Sequence, residues 1–414
     1  MSDNSLQSII PYQNSDVYSS TEKLYFCGLS LYILLYMQYE TKWDYGEMIS
    51  WLIETLAMLC LIVHAALTFP HFEKAREKLI FVVTLFISGV VGLNAGHTKG
   101  GNYLYIVSIA FLLVFGARNI EFRKILKVYL CIGGVYCAVT VCASLMGIIE
   151  NLSDTQDRDE AIGVIDDADR FCLGYGWSTN MANHVFFVLL TYFYYVGRTL
   201  KLKELLAFFL ITMFVYSYTI SRLSTACVFL MILFSLFYRT NFGKRFLEGK
   251  VVSIFLIVSI PFFAILSFYA TAAYDESDLL WFGADILLSG RLHIGQEALD
   301  TAGISILGQF YEMFSSARSD GNSYNYIDCS YIQLCVIYGL VYTALLICAY
   351  TVICRNAYRR RDFILMYSVF FAGISGMIAQ HFIEMYMNPF LIALFANHDG
   401  IGISQMKPEV QIVE

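Results

Sequence analysis

VVSIFLIVSIPFFAILSFYAT, residues 251–271, contains no charged residue. As a helix it would be about 30 Å long, the thickness of a bilayer's hydrocarbon core. Similar apolar runs recur along the chain, near residues 24–39, 47–69, 79–96, 101–116, 126–149, 183–197, 204–220, 224–238, 330–354, 363–381 and 382–396. With 58% apolar and 15% charged residues, the chain of 414 residues is too apolar for a soluble domain and too long for one span. The expected fold is an all-α, polytopic transmembrane bundle of about twelve spans covering residues 24–396. The first 23 residues are polar and lack the basic start of a cleaved signal, so the first span is expected to be an uncleaved anchor.

Charge predicts the orientation. The loops at 70–78, 117–128, 198–203, 239–250 and 355–362 hold 18 of the 27 Lys and Arg. The positive-inside rule makes these loops cytoplasmic, along with both tails, 1–23 and 397–414. Two long loops then fall outside the cell, at 150–182 and 272–329, and both are acidic. They hold eight and nine acids, each against two arginines. Every cytoplasmic loop is short, and no GxxxxGK[ST] loop occurs, so nucleotide hydrolysis on that side is excluded. Any chemistry belongs to the outer face. The eleven cysteines form no CxxC pair and mostly sit in apolar runs, as small core residues do. No metal, cofactor or nucleic acid is expected.

The outer residues Ser289 to Gly339 carry the strongest candidates. On a helical wheel, Ser289–Asp300 puts His293, Gln296, Glu297 and Asp300 on one side. Leu292, Ile294, Gly295, Ala298 and Leu299 fall on the other, with Arg291 among them. A guanidinium on an apolar face needs a carboxylate or phosphate partner. The expectation is that Arg291 faces a lipid-linked anion.

Asp328, one turn before an apolar span, is read either as that span's N-cap or as a general base near the bilayer. Arg222 sits in a tight polar link between two apolar runs, where ionisable residues tend to be functional. Arg170 and Asn180 flank a Gly-rich turn, and Trp177 fits an interfacial anchor. Tyr331 follows Asp328 closely. His381 and Glu384 are candidates for the same cavity, and His293 projects from the polar side of its helix. Glu54 and His64, inside the second span, read as packed polar residues, with a proton relay as the sharper alternative. For Lys42, Lys99, Arg158 and Arg318 a solvated surface charge is the plain reading.

Taken in order, R-x-x-L-G-Y-G-x-x-x-N from Arg170, the S-R at 221–222, S-G-R-x-x-x-x-x-x-A-L from Ser289 and D-x-S-Y-x-x-x-x-x-x-Y-G from Asp328 resemble the Wzy-type polysaccharide polymerases of bacteria. These belong to the wider O-antigen polymerase and ligase superfamily. The resemblance implies a GT-C-like, metal-independent glycosyltransferase without cofactor in the bacterial cytoplasmic membrane. Its substrate would be an oligosaccharide on undecaprenyl pyrophosphate, and its partners membrane lipid, a chain-length regulator and a flippase. It implies that Arg222 and Arg291 face the pyrophosphate. Asp328 stands where ligases of the superfamily carry histidine, which favours polymerase over ligase. A ligase, or a transporter or flippase, are the competing readings. The transporter reading calls for broken helices and repeats, neither of which is evident in the sequence.

Overall fold

A computed structural model describes residues 15–72, 75–98, 101–154, 170–288, 290–313 and 325–398. Most of both tails, much of the first long loop and part of the second lie outside these residues, as do Lys99, Arg158 and Arg318. The chain is all-α. Its helices are α1 (Ser15–Glu40), α2 (Glu47–Thr68), α3 (Ala75–Ala95), α4 (Tyr103–Gly116), α5 (Phe122–Leu145), α6 (Ser178–Val196), α7 (Leu202–Thr219) and α8 (Arg222–Tyr238). They continue with α9 (Asn241–Leu247), α10 (Lys250–Ala272), α11 (Leu279–Leu287), α12 (Arg291–Ala302), α13 (Ser330–Gln333), α14 (Gly339–Arg360) and α15 (Phe363–Gly376). Two strand pairs, each strand two residues long, close the turns at 97–102 and join Ser153–Asp154 to Arg170–Phe171.

The protein is a multi-pass helical membrane protein, with fewer full-length candidate spans among the described residues than the twelve expected. Among the described residues, six helical stretches are long and apolar enough to cross a bilayer: α2, α3, α5, α7, α10 and the continuous Ser330–Arg360. Counting α8 and α9, bent by 115°, as one broken span makes seven. The difference has a physical source. Helices α4 and α15, of 14 residues each, span only about 21 Å. Nearly every residue of both is buried by protein, so neither has to match the bilayer. By contrast, only 28% of the apolar window of α2 and 22% of that of α3 is buried. Helices α1 and α6 are long enough, but Tyr, Asn, Gln and His dilute their hydropathy.

The expected span at 382–396 is not a spanning helix. Residues 377–388 run through turns inside the bundle, and Pro389–Leu394 form a short 3-10 turn. Irregular backbone is tolerated at such depth only when protein groups satisfy it. Here they do. Tyr350 donates to the Phe382 carbonyl (2.9 Å), as does Asn388 (3.1 Å). Ser330 donates to the Ala379 carbonyl, and Tyr129 to that of Met387. The run is apolar because it is enclosed by protein, not because it faces lipid.

Local chemistry explains the closest approaches. A Cβ on Gly92 would lie 2.7 Å from the Leu104 Cα, so glycine lets α3 press against α4. Between α13 and α14 the helix widens into a π turn, Leu334–Tyr338. Residues of the second long loop then pair with it: Leu340 donates to the Ser305 carbonyl (3.0 Å), Val341 to Ile306 (3.1 Å) and Gln309 to Ile337 (3.0 Å). Gly339 has φ +81, and a Cβ there would stand 2.4 Å from the Gly308 nitrogen. The Gly of the Y-G motif therefore serves to dock the second long loop.

The ends of the bundle segregate by charge. At one end Arg118 meets Glu77 (2.7 Å), Lys124 meets Glu22 (3.1 Å), Arg198 meets Glu248 (3.0 Å), and Tyr194 donates to Asp362 (2.8 Å). This end gathers the basic loops. The opposite end carries Glu40, Lys42, Asn180, Arg291, Asp328 and the 377–388 segment.

Candidate functional site

The site is built at the corner between α11 and α12. Gly290 takes a left-handed conformation (φ +77) and offers no side-chain cap. Buried Asp285 supplies one, its Oδ1 accepting from the backbone nitrogens of Leu292 (2.8 Å) and His293 (3.3 Å). This satisfies the orphan donors of α12 and fixes its direction. Helix α12 then presents the expected faces. Leu292, Gly295 and Ala298 are buried, while His293, Glu297 and Asp300 are exposed.

Arg291, half-buried, ties three segments together. Its Nε donates to the Ile378 carbonyl (2.8 Å), one terminal nitrogen donates to the Leu288 carbonyl (3.0 Å), and the other lies 3.4 Å from Asp328 Oδ2. The partner that the sequence demanded is thus a carboxylate of the chain itself. The cap position of α13 falls on Cys329, which makes no side-chain cap bond, and the neighbouring Asp328 carboxylate faces Arg291.

Three residues beyond Ile378 a second cluster begins. His381 Nδ1 bonds Glu384, and the Tyr386 hydroxyl lies 2.8 Å from both Glu384 Oε2 and Glu40 Oε1. Asn180 donates to the other oxygen of Glu40. Burial alone would push the His381 imidazole down. The facing carboxyl groups of Glu384, Glu40 and Asp328 outweigh burial, and the net direction is a raised pKa that favours the imidazolium beside Glu384.

Hydrogen counting constrains the rest. Tyr386 has one hydroxyl proton and two carboxyl neighbours. The hydroxyl can donate to Glu40 or to Glu384, and one proton cannot serve both fully. Burial and the Glu384 carboxylate push the Glu40 carboxyl up, so Glu40 is the member of the pair that takes up a proton more readily.

Asn180, Arg291, Asp328 and His381 are thus brought to one end of the bundle, with Glu384 beside them. Arg291 and His381 both act on Asp328. Arg222 is exposed on the first turn of α8, and no described contact joins it to Arg291. Its turn is anchored by Ser224, which donates to Asn183 on α6 (2.6 Å). Arg170, half-buried, stands opposite Asp154 in the short strand pair. His293 is exposed, its ring against Tyr274. Tyr331 is buried, and its hydroxyl donates to the Gly373 carbonyl (3.0 Å). His64 is packed between the carbonyls of Thr21 and Gly116, both at 2.8 Å, which is the plain reading of that residue.

Sequence reasoning missed Glu40 and Tyr386. The signal was present in Glu40, an acid at the very end of an apolar run. Among the described residues no group of three or more His, Cys, Asp or Glu is placed to hold a metal ion.

No family model, no curated protein and no solved structure matches this chain. The site sets Arg291 and His381, whose imidazolium form its neighbours favour, against the carboxyl groups of Asp328, Glu384 and Glu40. Such a set can neutralise an anionic leaving group and accept a proton from a hydroxyl.

Proposed function

We propose that the protein is a membrane glycosyltransferase that polymerises oligosaccharide repeat units carried on undecaprenyl pyrophosphate at the outer face of the bacterial cytoplasmic membrane. The observation that carries the reading is the meeting of the Arg291–Asp328 pair with His381 and Glu384 at the end of the bundle opposite the basic loops. The chain distance between Arg291 and His381 is far too long for this to be local. Breaking the anomeric C–O bond concentrates charge on the departing diphosphate. A guanidinium and an imidazolium stabilise that charge. In this reading Arg291 turns from Asp328 to the diphosphate, and the released Asp328 takes the acceptor's proton. Arg222 and Arg170, at the same end of the bundle, extend the anion-binding surface. The positive-inside rule sets both termini in the cytoplasm.

The test is complementation of a strain lacking the gene. Arg291→Ala, Arg222→Ala and Asp328→Asn should each abolish long polymer while the single repeat unit accumulates on lipid. Loss of one electrostatic donor commonly lowers rate by about 10²–10³. Normal chain-length ladders in these variants would reject the reading. Transfer of a finished chain to a different acceptor would instead mark a ligase.

A transporter is the second reading, and two observations favour it. The α8–α9 break and the irregular 377–388 segment are the broken elements that transporters use, and the segment bears His381 and Glu384. Solute uptake by proteoliposomes, without any product from lipid-linked sugar, is the outcome that reading requires.

A further inference from the structure

Between the end of α1 and the start of α2 lies a cavity of about 240 Å³, lined among others by Gln38, Tyr39, Asp44, Glu47, Trp51 and Glu54. Its floor is fixed, with Ser50 donating to Gln38 (2.9 Å). Tyr39 and Trp51 are 55% and 65% exposed, which leaves ring surface free for a ligand. No basic residue lines it.

A ladder of tyrosine rings links the cavity to the cluster described above. The Tyr36 ring lies 5.9 Å from that of cavity-lining Tyr39, runs parallel to Tyr105 at 6.2 Å and stacks on Tyr386 at 4.9 Å. Tyr386 in turn bonds Glu40 and Glu384. Tyr105 adds an independent observation. It is 8% exposed, its hydroxyl has no hydrogen-bond partner among the described residues, and it interacts electrostatically with Glu54 and Tyr39, both cavity-lining. A buried phenol without a partner gains from a ligand hydroxyl. An interfacial anchor would account for Trp51 alone, but not for the fixed amide floor or the orphan hydroxyl.

We infer that this cavity and its tyrosine ladder form a sugar-binding subsite leading to the Glu40–Tyr386–Glu384 cluster. The inference rests on the reading that the substrate is a glycan. Aromatic faces stack on the C–H faces of sugar rings, and carboxylates and amides bind their hydroxyls. The three carboxylates Asp44, Glu47 and Glu54 select uncharged or amino-bearing sugars and repel uronates.

The experiment titrates the full-length protein in lipid nanodiscs with cellotetraose, a glucosamine tetramer and tetragalacturonate, followed by saturation-transfer NMR. The glucosamine tetramer and cellotetraose should bind at least about tenfold more tightly than the uronate. Trp51→Ala and Tyr39→Ala should each weaken binding about tenfold. Glu54→Gln should narrow the discrimination against uronate. Equal binding of all three probes, binding by none, or Trp51→Ala binding at wild-type affinity would overturn the subsite. The polymer-ladder assay separates this from the reaction itself. Wild-type ladders in Arg291→Ala alongside Trp51-dependent binding would keep the subsite and remove the polymerase. Lost ladders in Arg291→Ala alongside Trp51-independent binding would do the reverse.

Discussion

Glu40 and Glu384 share one tyrosine, yet replacing each by glutamine should have opposite consequences. Burial and the Glu384 carboxylate push the Glu40 carboxyl up, so Glu40 is expected to hold the proton of the pair. Its Oε1 contacts the Tyr386 hydroxyl and its Oε2 accepts from Asn180. A glutamine reproduces that pattern, with its amide nitrogen in place of the hydroxyl and its oxygen unchanged. Glu40→Gln should therefore cost under about 1 kcal/mol. Glu384 accepts from both His381 and Tyr386 and is the ion-pair partner of His381. Removing one partner of a fully buried ion pair costs roughly 3–5 kcal/mol. The Glu384 side chain is 20% exposed, which brings the expected loss for Glu384→Gln down to about 2–3 kcal/mol. For a chain this long, each kcal/mol shifts the midpoint by roughly 2 °C or less. Thermal unfolding of purified protein in detergent should thus lose about 4 °C in Glu384→Gln and less than about 2 °C in Glu40→Gln. Infrared spectroscopy of the wild type should show the carbonyl stretch of an un-ionised acid, absent in Glu40→Gln. Equal losses, the reverse order, or an infrared band unaffected by Glu40→Gln would refute the proton assignment.

Three further outcomes are expected. His381, whose folded pKa is raised by its carboxylate neighbours, contributes stability that is complete below its unfolded value of about pH 6.5 and fades as pH rises through the folded value. The melting-temperature gap between wild type and His381→Gln should accordingly narrow with rising pH, and a widening gap would contradict it. Gly339→Ala puts a Cβ at positive φ against the Gly308 backbone. It should destabilise by at least about 2 kcal/mol and release the second outer loop to proteolysis, which limited trypsin digestion would reveal. Arg291→Lys keeps the charge but cannot reach Leu288, Asp328 and Ile378 at once, so it should behave nearly as badly as Arg291→Ala in both melting temperature and polymer ladder.

Charge and hydropathy carried much of the architecture. The expected spans at 47–69, 204–220, 224–238 and 251–271 fall on α2, α7, α8 and α10 to within two residues. The wheel that set Arg291 on the apolar side of α12 holds. Where pattern misled, the cause is common to every case. Hydropathy reports that a side chain avoids water, without saying whether lipid or protein surrounds it. Residues 382–396 and helices α4 and α15 read as lipid-facing spans, yet protein encloses them. Asp328 read either as a cap or as a base, because capping is a local rule, while its neighbours Arg291 and His381 lie some forty and fifty residues away in the chain.

By itself the sequence determined a multi-pass helical membrane protein, with its basic loops grouped at one end and Arg291 among the residues of the other. Spans and loop charge are properties of consecutive residues. The tertiary structure alone decided that Arg291 is held by Asp328, that Glu40 from the first helix shares a proton-bearing contact with Tyr386 near the end of the chain, and that the last apolar run folds inward. Those pairings join residues from about forty to nearly 350 positions apart. Their energies depend on distance, burial and the number of available hydrogens, none of which a linear pattern encodes.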